Sequence, residues 1–345
     1  MNTLLGIIII CIGSFGQSSS YVPLTKIKSW SWESFWLVQG LFAFVLFPYL
    51  GAQLAVPEGH SLFEILFAEK EVAIKALSYG LLWGVGGLTF GLSMRYLGVA
   101  LGQSIALGTC SAFGTLLPAL IKGTDLFTGK GLILLISVSV AIAGISVIGY
   151  AGSLRSKSMS MEQKLAAVKD FALGKGLLIA LVAGVMSACF SLGIDAAEPI
   201  KTAAIRLGAK PIFAELPVIF IIASGGFITN ALYCLVENVK NDTLKDYFSI
   251  PKNIFFRNIL LCLLAGVLWY SQLFCFVLGK SYLMVGSVMM AFSWSILMSM
   301  NVAFSNVWGI ILKEWRGASV KTVSVLILGM FILVFSLLIP NFFGN

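Results

Sequence analysis

The chain has 345 residues, 59% hydrophobic and 11% charged, with a mean hydropathy of +0.97. A soluble domain carries about 25% charged residues, so most of the outer surface must face an apolar medium, and the bilayer is that medium. The net charge of +8 is scattered through short connections; this argues against a nucleic-acid face and reads as an orientation signal.

A hydrocarbon core about 30 Å thick needs about 20 apolar residues in a helix. That ruler predicts ten helices near 2–22, 34–56, 74–96, 99–121, 130–150, 174–196, 212–236, 256–279, 283–311 and 320–341. The first stretch, MNTLLGIIIICIGSFG, looks like the apolar part of a signal peptide. It lacks a basic leader and a small-x-small cleavage site, so it is read as the first membrane helix. It ends in GQSSSYVP (16–23), where Pro23 interrupts the helical ladder beside Gln17. Next comes KSWSWESFW (28–36), which sets one carboxylate, Glu33, among tryptophans at the mouth of an apolar run.

Helices 3 and 4 carry GLLWG (80–84), GLTFG (87–91) and GVALG (98–102), GxxxG spacings that predict close helix contact. GTDLFTGKG (123–131) resembles a phosphate loop but has one residue too many between its glycines and Gly131 where a Ser or Thr would hold magnesium. The longest connection, SLRSKSMSMEQKLAAVKDFALGK (153–175), is polar, with Leu165, Val168 and Ala172 at helical spacing, and predicts a surface helix.

Five predicted helices precede that connector and five follow it. LWGVGGLTFGLSMRYL (82–97) and LWYSQLFCFVLGKSYL (268–283) share Leu82/Leu268, Trp83/Trp269, Phe90/Phe276, Leu92/Leu278, Tyr96/Tyr282 and Leu97/Leu283, each pair 186 positions apart. This is the mark of an internal repeat. An odd number of helices per copy makes the second enter the membrane from the opposite side. The expected fold class is an all-α integral membrane protein of ten transmembrane helices, as two inverted five-helix repeats. Residues 1–152 form the first repeat, 153–173 a cytoplasmic connector and 174–345 the second. The odd connections hold 15 of the 23 Lys and Arg and the even ones eight, which predicts cytoplasmic odd connections and both termini outside.

The six cysteines lie in apolar stretches without a CxxC, which points to packing rather than disulfides or zinc. No HExxH, GxSxG or acidic cluster appears, and His60 lies in a predicted loop. An intramembrane enzyme would need a nucleophile–base pair or metal ligands at depth, so no enzyme, metal site or cofactor is expected.

Uncharged polar groups are the informative ones: Gln17; Asn230; Trp269, Tyr270 and Gln272; Trp294, Ser299, Asn301 and Asn306. An unpaired amide costs several kcal/mol in hydrocarbon, so each is helix glue or lines a wet cavity. As a set spread over both halves they favour a cavity. A phosphate or carboxylate ligand would call for Arg or Lys, whereas a neutral polyol needs hydroxyl and amide partners and the flat face of Trp or Tyr. A nucleotide sugar fits poorly for the same reason.

The stretches KIKSWSWESFW (26–36), LWGVGGLTFGLSMRYLG (82–98), GTLLP (114–118), SACFS (187–191) with AAEP (196–199), LWYSQLF (268–274), and SWSILMS (293–299) with GIILKEW (309–315) resemble the L-rhamnose–proton symporter family, a branch of the drug/metabolite transporter superfamily. SMRYLG and KSWSWE are the most specific. The resemblance runs nearly the whole length. It implies proton-driven sugar uptake across the bacterial inner membrane, with a small neutral sugar, protons and lipid as partners. The oligomeric state is not legible. The other reading is an exporter or exchanger of another small metabolite on the same fold.

On that reading the sugar is expected between the two halves, on Gln17, Trp83, Asn230, Trp269, Tyr270, Gln272 and Trp294. The candidates for proton coupling or gating are Glu33, Arg95 and Glu314. For Glu33 two accounts stand: a carboxylate favoured by the positive end of a helix inside an aromatic belt, or a proton carrier whose neutralisation eases passage through an occluded state. Asp195, Glu198 and Glu215 read as solvated helix-end groups, and Lys280 as a side chain reaching toward headgroups.

Overall fold

The computed structural model describes residues 2–97, 99–158, 172–312, 315 and 318–343. Among these there is no strand. The helices are α1 (Thr3–Ser19), α2 (Tyr21–Leu24), α3 (Trp32–Gly40), α4 (Phe47–Gln53), α5 (Leu62–Ala68), α6 (Lys70–Leu97), α7 (Val99–Ile121), α8 (Gly129–Ser158), α9 (Leu173–Ala196), α10 (Glu198–Arg206), α11 (Leu216–Lys240), α12 (Lys252–Lys280), α13 (Val288–Ile311), α14 (Val320–Ser336) and α15 (Ile339–Phe343). Eight helical stretches among the described residues are long and apolar enough to cross a membrane, while Ile105–Ile121 and Val320–Ser336 are shorter apolar helices. The protein is a multi-pass integral membrane protein.

Helix positions follow the predicted ranges, and the departures have local causes. The 283–311 helix starts at Val288, because Gly286 takes φ 74° and Ser287 caps the Met290 N–H at 3.1 Å. The 212–236 helix starts at Leu216, with Pro217 in its first turn. The 320–341 helix ends at Ser336, before Pro340. The 34–56 helix is not continuous: a π-turn, Leu41–Leu46, separates α3 from α4, and Pro48 opens α4. The 153–173 connector begins as the end of α8, which runs to Ser158; Leu165 and Val168 lie outside the described residues. In GTDLFTGKG, Asp125 accepts from the Phe127 N–H at 2.9 Å and the Thr128 hydroxyl at 2.8 Å. These donors, the Phe127 N–H foremost, hold its carboxyl below the usual range. The segment is a turn leading into α8.

The chain divides into two compact units, and each takes segments from both sides of the connector. One comprises residues 1–11, 85–192 and 282–345; the other comprises 12–84 and 193–281.

In the first unit glycines and hydroxyls set the helix crossings. Gly144 of α8 and Gly329 of α14 face each other: a Cβ on either would stand about 3 Å from the other's carbonyl oxygen. Ser111 of α7 and Ser295 of α13 share a hydrogen bond of 2.6 Å. Ser191 of α9 donates to the Gly114 carbonyl at 2.7 Å. These bonds keep the buried hydroxyls paired, which hydrocarbon demands.

In the second unit, Gly80 of α6 lies against Ile222 and Gly225 of α11, and Gly266 of α12 lies against Phe42 and Ala43 of the π-turn. A Cβ on Gly266 would stand 2.5 Å from Phe42 Cβ. These two glycines are 186 positions apart, like Trp83 and Trp269. Gly84 also packs on α11, but Gly87 and Gly91 have nothing within 4 Å. Among the described residues the expected contact through Gly87 and Gly91 is not made; α6 approaches α11 through Gly80 and Gly84, and in the first unit it approaches Met186 and Ser187 of α9 through Gly86.

Candidate functional site

The second unit holds a group of aromatic rings where α6, α11, α12 and the π-turn meet. Phe44 stands edge-on to Trp83 at 5.2 Å and to Trp269 at 4.6 Å, and the two tryptophans are 5.8 Å apart. Buried Ala43 and Ala223 complete the cluster, with Phe227 packed on it. Trp83 lies against Gly226, where no side chain competes for the space. The two tryptophans matched by the repeat thus come from opposite halves of the sequence to one place.

Asn230 lies one helical turn beyond Gly226. A Cβ on Gly40 would stand 2.6 Å from its Nδ2 and 3.6 Å from the Phe44 ring, so the amide sits directly on the α3 backbone beside the aromatic group. Asn230 is 4% exposed and its Nδ2 has no hydrogen-bond partner. Gln39, next to Gly40, is 2% exposed, and its Oε1 has no partner either. Asn230 Nδ2 and Gln39 Oε1 are thus a buried donor and a buried acceptor without partners, and the Asn230 amide stands beside the aromatic wall. Each such group costs about 1–3 kcal/mol unless something bonds it, so the pair marks a place built for a ligand with both donors and acceptors. Gln39 was missed in the sequence; its signal was a lone amide in the apolar run WLVQGLF.

The other expected sugar contacts have neighbours of their own. Tyr270 turns its hydroxyl onto Gly51, where it is buried without a partner. Gly51 is 11 residues beyond Gly40, roughly 16 Å along a helix at 1.5 Å per residue, farther than one monosaccharide ring extends. Gln17 and Gln272 lie on α1 and α12, whose contact is made by Gly13 and Gly16 against Leu268, Ser271, Gln272 and Cys275. Trp294 belongs to the other compact unit, where it stacks on Phe190 at 6.0 Å and abuts Gly114. The structure gathers Trp83, Asn230 and Trp269.

Glu33 opens α3 and is 7% exposed. Its Oε1 accepts from Asn241 Nδ2 at 3.0 Å and Thr243 Oγ1 at 2.8 Å. Ser34, beside it, donates to Asp246 Oδ2 at 2.9 Å and to Asn238 Oδ1 at 3.1 Å. Asp246 also takes the Ser31 N–H at 2.7 Å, while the Trp30 indole donates to the Asp246 carbonyl at 2.8 Å. The carboxylate ties the start of α3 to the turn after α11. Arg95 lies on α6; Glu314 lies outside the described residues.

Glu215 corrects the expectation of a solvated end group. It is 6% exposed and accepts from Lys280 Nζ at 2.8 and 3.1 Å, with Lys201 Nζ at 3.8 Å. Lys280 lies over the Phe276 ring at 5.1 Å rather than reaching for headgroups. Glu215 precedes the first turn of α11 and Lys280 ends α12, so each charge also complements its helix dipole.

A family model described as L-rhamnose-proton symport protein (RhaT) matches residues 1–343. A protein of Yersinia pestis (strain Pestoides F) named L-rhamnose-proton symporter is 33% identical over 338 residues, 96% of this chain and 95% of the relative. One of Klebsiella pneumoniae subsp. pneumoniae with the same name is 34% identical over 328 residues, 94% of this chain and 93% of the relative.

Proposed function

The chain belongs to the L-rhamnose-proton symport protein (RhaT) family, and we propose that its sugar is held between Gln39 and Asn230 against Phe44, Trp83 and Trp269. It is a secondary active transporter, not an enzyme, and couples uptake of L-rhamnose or a closely related neutral deoxysugar to protons by alternating access. The observation that carries the site is the unpaired Asn230 Nδ2 beside the aromatic wall, with the unpaired Gln39 Oε1 next to Gly40 on α3. An anion would leave the Gln39 oxygen facing negative charge, and a cation would leave the Asn230 amide facing positive charge. A hydroxyl both donates and accepts, so a neutral polyol suits both groups, and its C–H face suits the tryptophans.

The wider architecture we propose is ten membrane helices in two inverted five-helix repeats, 1–152 and 174–345, joined by a cytoplasmic connector at 153–173, within the drug/metabolite transporter superfamily. Both termini lie outside. The matched pairs Trp83/Trp269 and Gly80/Gly266 support the repeat, since each glycine seats a helix of the opposite half. Glu33 is the proposed coupling group. Its protonation would weaken the acceptor that Asn241 and Thr243 share and loosen the 241–247 turn.

Purified protein in liposomes, given labelled L-rhamnose with and without an inward proton gradient, tests this reading. Wild type accumulates sugar only with the gradient. Glu33→Gln keeps an acceptor oxygen but cannot cycle a proton, so it retains downhill exchange and loses accumulation. Equal loss of both would remove Glu33 from coupling, and gradient-independent accumulation would overturn symport.

A further inference from the structure

We propose that the backbone carbonyl of Ala43 is a sugar-binding acceptor, freed from helical pairing by the π-turn and Pro48 acting together; the proposal rests on the site just described. In an α-helix the carbonyl of residue 43 would take the N–H of residue 47. Here the Phe47 N–H bonds the Phe42 carbonyl instead, five residues back. If the π-turn continued, Ala43 would take the N–H of residue 48. That residue is proline and has none. The Ala43 carbonyl is therefore left without either helical donor, in a residue with no exposed surface. Buried carbonyls almost always find a donor, and in a membrane interior the requirement is stricter.

The location makes this more than a packing fault. Ala43 and Phe44 belong to the same buried cluster as Trp83 and Trp269, and Ala43 is one turn along the helix from Gln39. Gly266 brings α12 close to the Ala43 backbone, which a side chain there would push away. The corresponding helix of the other half, α11, is regular over the same stretch. Asn230 in it stands 186 positions after Phe44. One helix thus supplies an amide donor and the other, by breaking its ladder, a main-chain acceptor. Broken helices whose freed backbone groups bind substrate and coupling ions are a recurrent device at mid-membrane transport sites, and π-turns gather at functional positions. The ligand group this acceptor requires is a donating hydroxyl.

Pro48→Ala tests the assignment, because it restores an N–H at the position from which the π-turn would bond Ala43. Removing an interior proline relieves the helix, so the variant should fold at least as stably as wild type. Its affinity for L-rhamnose should fall about 3- to 10-fold, the effect of one neutral hydrogen bond. Mono-deoxy analogues of the sugar then identify the donor. For one of them the loss on going from wild type to Pro48→Ala should vanish, since the bond is already absent. Unchanged affinity in a folded Pro48→Ala protein, or an equal loss for every analogue, would overturn the proposal. If Asn230→Leu weakens binding while Pro48→Ala does not, the site stands without this acceptor; if neither variant does, the site itself is wrong.

Discussion

Two polar groups of residues lie within two turns of each other on α3, and they behave in opposite ways. At its start, Glu33 and Ser34 are bonded to Asn238, Asn241, Thr243 and Asp246. At its end, Gln39 and the neighbouring Asn230 amide have atoms with no partner. Both places are buried, and both draw residues far apart in sequence. A satisfied network holds elements together, and removing a member leaves others unpaired. An unsatisfied pair does nothing for the resting fold and so is kept for something else. Hydrogen-bond completeness, combined with the aromatic wall beside Asn230, separates the anchor at the start of α3 from the site at its end.

The comparison can be broken at several points. The largest effect is expected at the most complete pairing, that of Glu215 with Lys280. Lys280→Met leaves a buried carboxylate uncompensated and should cost about 3–5 kcal/mol of stability, read as a large drop in thermal unfolding in detergent; a small change would show that Lys201 takes over. Glu33→Ala should cost about 1.5–3 kcal/mol by orphaning Asn241 and Thr243, whereas Glu33→Gln should unfold close to wild type. Equal destabilisation by both would mean that charge, not the acceptor, anchors the turn.

Gly40→Ala tests the unsatisfied side. The new Cβ displaces the Asn230 amide, while alanine favours the helix by about 1 kcal/mol. Sugar affinity should fall about tenfold with stability held, and loss of stability alone would make Gly40 a packing residue. The smallest effect is expected at Gly87. With open space where a Cβ would go, Gly87→Ala should change transport little and raise stability by at most about 1 kcal/mol. Impaired transport there would reveal a contact made only in another conformation.

Much of this was legible in the sequence where the signal is local. The 20-residue apolar ruler gave most helices within a few residues, since backbone groups in hydrocarbon must pair within their own segment. The matched Trp83 and Trp269 announced their meeting through the repeat. What was not legible depended on distant partners. Glu33 finds Asn241 208 residues away, and Glu215 finds Lys280 65 residues away, so neither could be told from a solvated end group. The break in the second helix was half visible: Pro48 could be read, but the extra residue of the π-turn leaves no compositional trace.

Titration of L-rhamnose into purified Asn230→Leu protein, alongside its thermal unfolding, tests the central claim most directly. The leucine removes the unpaired amide nitrogen, and the one bond it breaks is the weak one from the Cys234 thiol to Asn230 Oδ1 at 3.9 Å. Affinity should fall at least tenfold while the melting temperature holds or rises. Wild-type affinity, or a fall matched by a comparable loss of stability, would contradict the account.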